Sequence, residues 1–190
     1  MRAVASERQR TPRNRIWFIA PLAVLALVSL TIGTLAHQSA GDYPAPPFFH
    51  LFFSDTLHLK AWLATGVSML GVIQLLTAAR VFDVFHFPPS GRFWARVHRL
   101  SGYLAILLTL PIAYHCIFLL GFQTTSLRVA LHSVLGSALY GAFLAKVIMV
   151  RVRGYPGWAL AVAGGLVFVI LSGLWLTSAF YFFRTHAIAL

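Results

Sequence analysis

Four histidines stand among apolar neighbours: His98, His115 and His132 lie inside hydrophobic segments, and His58 stands at the mouth of another. An imidazole offers a nitrogen lone pair that binds haem iron or another metal. Titratable side chains are costly in hydrocarbon, so a histidine within a bilayer is a candidate functional group by default. Around them, His98-Arg99-Leu100-Ser101-Gly102 and His132-Ser133-Val134-Leu135-Gly136 repeat a histidine followed one helical turn later by glycine. Glycine there removes bulk beside the ring, either for a ligand or for close helix packing.

These side chains need membrane-spanning elements to position them. The chain has 190 residues, is 59% hydrophobic and 10% charged, and has a mean hydropathy of +0.80. A soluble domain is about a quarter charged, so this composition implies an integral membrane protein. A span needs roughly 20 mostly apolar residues. Five segments qualify: Ile16–Ala36, Leu57–Ala79, Val97–Leu120, Leu127–Val150 and Trp158–Phe182. The expected class is all-α, a four-helix haem-binding bundle over 57–182 plus one additional N-terminal span over 16–36. A basic tail (1–15), an outer loop rich in Pro and Phe (37–56) and an outer C-terminal tail (183–190) complete the chain. One cysteine, Cys116, excludes an internal disulfide and any multi-cysteine metal site.

The net charge of +11 rests on 13 Arg and 2 Lys. Their clustering between apolar segments fits topology signals and anionic headgroups, not nucleic acid. Arg2, Arg8, Arg10, Arg13, Arg15, Arg80, Arg92, Arg96, Arg99, Lys146, Arg151 and Arg153 fall on one side, against Lys60, Arg128 and Arg184 on the other. The positive-inside rule then places the N terminus in the cytoplasm and the C terminus outside, in a plasma (inner) membrane. Thr34-Leu35-Ala36 weakly resembles a signal-cleavage site, but the apolar run before it is longer than a signal core, so an uncleaved anchor is expected. The loops His37–Thr56 and Val81–Arg96 read as aromatic interfacial segments.

Depth sorts the histidines. His98 and His115 are 17 residues apart, roughly 25 Å along a helix, and so lie near opposite surfaces. His115 and His132 flank the Gly121–Leu127 turn symmetrically, and His58 enters from the same outer side. His58, His115 and His132 are therefore expected to converge in the outer half, where two neutral imidazoles could hold one haem b edge-on. His58, Ala61, Thr65 and Ser68 form a stripe small enough for a flat ring, and Arg128 or Lys60 could meet the propionates. Pro111, one turn before His115, should loosen that helix. No acidic residue lies inside a span, which disfavours a pump or cation transporter.

The residues His98-Arg99-Leu100-Ser101-Gly102-Tyr103, His115 and Leu131-His132-Ser133-Val134-Leu135-Gly136 resemble the transmembrane b-type cytochromes, including ferric-reductase-like membrane domains. The resemblance covers spans two to five. It implies a four-helix core, b haems with paired histidine ligands, and electron transfer often linked to quinol or a reductase partner. Those families often hold two haems, whereas the inner side here offers only His98 within a span. A diagonal pairing would use His58 with His132, an adjacent one His115 with His132. A quinone site near His98, Arg99 and Gln74, or another subunit of a redox complex, would carry electrons the remaining distance. The alternative is a non-catalytic accessory or assembly subunit of a respiratory membrane complex.

Overall fold

A computed structural model describes residues 16–39, 49–84, 91–152 and 154–185. The basic tail, most of the outer Pro/Phe loop, His86 with its prolines, Arg153 and residues 186–190 of the C-terminal tail lie outside the described residues. The described residues are helical, with no strand among them. The helices are α1 (Ile16–Ser39), α2 (Thr56–Val81), α3 (Arg92–Tyr114), α4 (Leu127–Arg151) and α5 (Gly157–Trp175). A π-helical segment, His115–Leu120, prolongs α3, and another, Leu176–Phe180, leads from α5 into the short α6, Tyr181–Thr185. Five helical stretches are long and apolar enough to cross a bilayer. Leu22, Leu30, Leu107, Val162 and Val169 are among many large apolar side chains exposed on them. In water such a surface would drive aggregation; in a membrane it is the lipid-facing wall.

The helices close into one ring. In space their order is α1, α4, α5, α2, α3, and the π segment after α3 returns to α1. The first span is thus a member of the ring and not an accessory beside a four-helix bundle. Small residues allow it. At Gly141 on α4 an added Cβ would stand 2.5 Å from Leu25 O and from Ser29 Oγ on α1. Without a hydrophobic drive between helices, such close approach is how dispersion contacts accumulate in a membrane. Leu139, Ala142 and Ile170 form the α4–α5 seam. Gly71 meets Phe168 across α2 and α5, and Gln74 of α2 donates its amide to His98 O and to Ser101 Oγ (2.7 Å) of α3. Although consecutive in sequence, α3 and α4 do not pack closely on each other. A side-chain bond from Tyr140 OH to Thr109 Oγ1 (3.0 Å) links them across the ring.

Local sequence sets the helix ends. Asp55 caps α2, its Oδ1 accepting N–H bonds from Leu57 (2.7 Å) and His58 (2.9 Å). Ser126 caps α4 through Val129 N–H. Gly121, with φ of 70°, turns the chain out of the first π segment, a conformation that L residues rarely adopt. The loosening expected at Pro111 takes the form of that π segment, which begins four residues later at His115.

Candidate functional site

Two of the histidines are held by the same device at opposite ends of the bundle. His132 Nδ1 lies 3.0 Å from Thr177 Oγ1, and the Thr177 hydroxyl proton is directed to Gly173 O at 2.7 Å. The threonine oxygen must therefore accept, so His132 carries its proton on Nδ1 and its lone pair on Nε2. His98 Nδ1 lies 2.9 Å from Thr77 Oγ1, whose own proton goes to Ile73 O at 2.7 Å. The tautomer is the same. Two other histidines reach it differently. His115 Nδ1 donates to Pro111 O at 2.8 Å, and His58 Nδ1 to Asp55 Oδ2 at 2.7 Å. All four imidazoles thus expose an acceptor nitrogen at Nε2, with the other nitrogen tied down. Metal-binding histidines are oriented by the same kind of outer bond.

What meets each Nε2 differs. His115 is fully buried at 0% exposure, its Nε2 accepts the Phe49 N–H at 3.4 Å, and its ring packs 4.4 Å from that of Phe49. It fastens the end of the outer loop to α3. His58 Nε2 is buried and has no partner among the described residues. His132 faces a central cavity of about 110 Å³ whose walls come from all five helices. The α3 wall is Thr109, Ile112, Ala113, Cys116 and Ile117, the turns that carry His115, although His115 does not itself line the space. Gly136, Ser137 and Tyr140 continue the α4 wall, facing Leu171, Leu174 and Trp175 of α5.

Several expectations need correction. The three histidines expected to converge do not share a cavity: His58 packs edge-on against Phe182 at 5.0 Å, His115 against Phe49, and of the three only His132 lines the central space. The stripe His58, Ala61, Thr65 leaves no slot for a flat ring, because Ala61 packs on Ala179 and Phe182 and Thr65 Oγ1 accepts the Trp175 indole N–H at 3.0 Å. Arg128, expected to face propionates, donates to Thr177 O at 2.6 Å and lies 3.9 Å over the Tyr181 ring. That carbonyl lies in the π segment Leu176–Phe180, a signal no sequence periodicity carries. A Cβ on Gly136 would find only Leu174 Cδ2 at 3.9 Å, whereas Gly102 admits the Gln74 amide, with Oε1 at 3.3 Å from a Cβ there. At the inner end both Gln74 amide hydrogens are used on α3, and the Arg99 Nε–H is directed to Ala95 O.

Among the described residues no three His, Cys, Asp or Glu side chains gather as a metal-holding group. A haem needs two axial ligands, so pairs remain relevant. In kind, an Nδ1-anchored imidazole on the wall of a mostly apolar space fits a ligand of haem iron. In size, the cavity of about 110 Å³ suits a smaller body. A dry cavity of about 150 Å³ takes one benzene, and a porphyrin is several times larger, so holding one would require the helices to part.

The fold and its histidines define an all-α integral membrane protein that contacts lipid along all five spans. The chain belongs to DUF6529, a family of unknown function, whose model matches residues 18–190. No curated protein and no solved structure matches it.

Proposed function

We propose that this protein is a membrane b-type cytochrome that carries electrons within a redox membrane complex, with His132 as an axial ligand of one haem in the outer half. The observation that supports it is His132 itself. Its Nδ1–H is fixed by Thr177, and its side chain lines a cavity walled by every helix. When bound, haem supplies one-electron transfer at a potential set by its ligands and surroundings. The chain's own residues orient the ligand and exclude water. Thr177 holds the tautomer, Arg128 ties Thr177 to α4, and Ala36, Leu139 and Leu174 keep the space dry. His115, carried by the turns of α3 that form the facing wall, is the second candidate ligand; its Nε2 accepts the long 3.4 Å contact from Phe49, which a metal would have to displace. The seam between α3 and α4, lacking close packing, is where the ring opens for so large a ligand. A haem held by these residues would supply one-electron transfer in the outer half, with further subunits of the complex supplying the rest of the path. The N terminus lies in the cytoplasm, the C terminus outside, and the membrane is the plasma (inner) membrane, following the cationic bias of the loops.

The test is a spectrum. The protein purified in detergent should show a reducible b-type absorption that is lost in His132→Ala and His115→Ala and kept in His98→Ala. A folded but colourless protein, negative in a pyridine haemochrome assay, overturns the proposal. Co-purification of that colourless protein with a larger complex would identify an accessory subunit instead.

A further inference from the structure

Lys60 is a cation without a counter-ion. It stands on α2 between Leu59 and Ala61, which are 0% and 4% exposed, so it belongs to a packed stretch of the span, and it is itself half-buried. Among the described residues no hydrogen bond or ion pair holds its ammonium. Of the four acidic residues, Asp55 and Asp83 are paired with His58 and Arg80, and Glu7 and Asp42 lie outside the described residues. An ionised side chain within a span ordinarily has a partner, and one without marks a site. Register sets its place. Ala64, Val67 and Ser68 form the α2 wall of the central cavity, and spacings of four, seven and eight put Lys60 on the same helix face. It lies one turn, about 6 Å, nearer the outer end than Ala64. The cavity extends toward that end, from Thr109 and Tyr140 near mid-span to Gly121 and Phe122 in the outer turn. Lys60 therefore stands at the outer mouth. Its charge is felt at both Cys116 and His132, which line the space from the π segment and from α4.

The geometry points to a binding site in this cavity for a short-chain monocarboxylate, its carboxylate on the Lys60 ammonium and its hydrocarbon tail in the space below. Ile112, Ala113, Leu171 and Leu174 give that space an apolar wall suited to a tail. The cavity is about 110 Å³. A dry cavity of about 150 Å³ takes one benzene, so roughly four tail carbons fill this one. One unpaired ammonium calls for one negative charge. Arg128, the other cation of this end, already serves Thr177 O and the Tyr181 ring. A dianionic phosphate would keep an uncompensated charge in a desolvated place, which is costly. A bare inorganic anion would meet Lys60 but leave the apolar space empty. The site uses the cavity at the size described and does not rest on the haem reading. Haem, which requires the helices to part, would displace the carboxylate.

The experiment is equilibrium dialysis of isotope-labelled pentanoate against the full chain in lipid nanodiscs. Wild type and His132→Ala are run side by side, so that haem held by the first does not hide the site. Pentanoate should bind saturably to at least one of them. Neutral pentanamide, of the same size, should bind at least about tenfold more weakly, the worth of a charge-assisted hydrogen bond. Lys60→Met keeps the unbranched stem and should weaken pentanoate by about tenfold while leaving pentanamide unchanged, and Lys60→Arg should retain pentanoate. Affinity should rise by about fourfold per methylene from acetate to pentanoate. Ala113→Phe, which fills the space and keeps Lys60, should abolish that rise. Acetate bound as tightly as pentanoate means an adventitious ion only and overturns the proposal. So does pentanoate binding that survives Lys60→Met, or its absence from both chains. Binding that appears only in Asp42→Asn means the chain's own carboxylate occupies Lys60, and this too overturns it. Haem content is read from the spectrum and depends on His132, so failure of either reading leaves the other testable.

Discussion

Replacing Thr177 by valine tests the device that fixes His132. Valine keeps the branched shape and leaves the Thr177 carbonyl in place for Arg128. The Oγ1 acceptor 3.0 Å from His132 Nδ1 disappears, together with the hydroxyl's local bond to Gly173 O in its own helix. An unsatisfied buried donor costs about 1–3 kcal/mol in soluble cores. Hydrogen bonds between membrane helices couple more weakly, averaging about 0.6 kcal/mol with a maximum near 1.7. The lower range should govern here, because an imidazole that loses its Nδ1 acceptor can move its proton to Nε2 and avoid the full penalty. A double-mutant cycle of Thr177→Val with His132→Ala, read by unfolding in mixed micelles, should therefore give a coupling of about 1 kcal/mol. The same proton shift removes the Nε2 lone pair, so Thr177→Val should also lose haem that the wild type retains. A coupling below about 0.3 kcal/mol, within the error of additivity, would refute the bond and with it the tautomer argument.

Other outcomes follow from single contacts. Gly141→Ala drives a Cβ to 2.5 Å from the Leu25 carbonyl, which cannot rotate away, and should cost about 1–3 kcal/mol in thermal unfolding. Gly136→Ala meets only a methyl at 3.9 Å and should be neutral or slightly stabilising, since alanine favours helix by up to about 1 kcal/mol. Arg128→Lys keeps the charge but loses the planar group over Tyr181, and should cost about 1 kcal/mol by the same assay. The N–H bonds from His58 and Leu57 hold the Asp55 carboxyl below its usual range. Its stabilising effect is complete above the pKa of the unfolded chain and is lost as pH falls through the lower folded value. Hydrogen exchange at the first turn of α2 should therefore quicken on acidification below about pH 4, and Asp55→Asn should abolish that dependence.

The spans were legible because hydropathy and length are one-dimensional: α2 begins at Thr56 and α4 at Leu127, within a residue of where the apolar runs begin. What faces what was not. The ring order depends on Gly141 meeting Ser29, two residues whose types are common and whose pairing leaves no periodic trace. The partners that set the histidine tautomers, Thr77 and Thr177, lie 21 and 45 residues from their rings, and threonine in a span ordinarily just bonds its own helix. The π segments at His115 and Leu176 turn the following side chains off the 3.6-residue period, so a helical wheel misplaces Cys116 and Ser178, both of which line the cavity.

The contact between α1 and α4 also has a consequence for biosynthesis. The hairpins α2–α3 and α4–α5 each join helices made one after the other, but α1 must wait for a partner that ends at Arg151, some 110 residues after Ser39. At ordinary elongation rates the first helix spends roughly 5–20 s in the bilayer with its Leu25–Ser29 face unmatched. Ala36, which ends the Thr34-Leu35-Ala36 sequence, is only 5% exposed once the ring closes. A peptidase able to read that sequence has only this interval in which to act. Retention of the helix is thus a race between cleavage and the arrival of α4, and stalling translation before Leu127 should tilt it toward the truncated product.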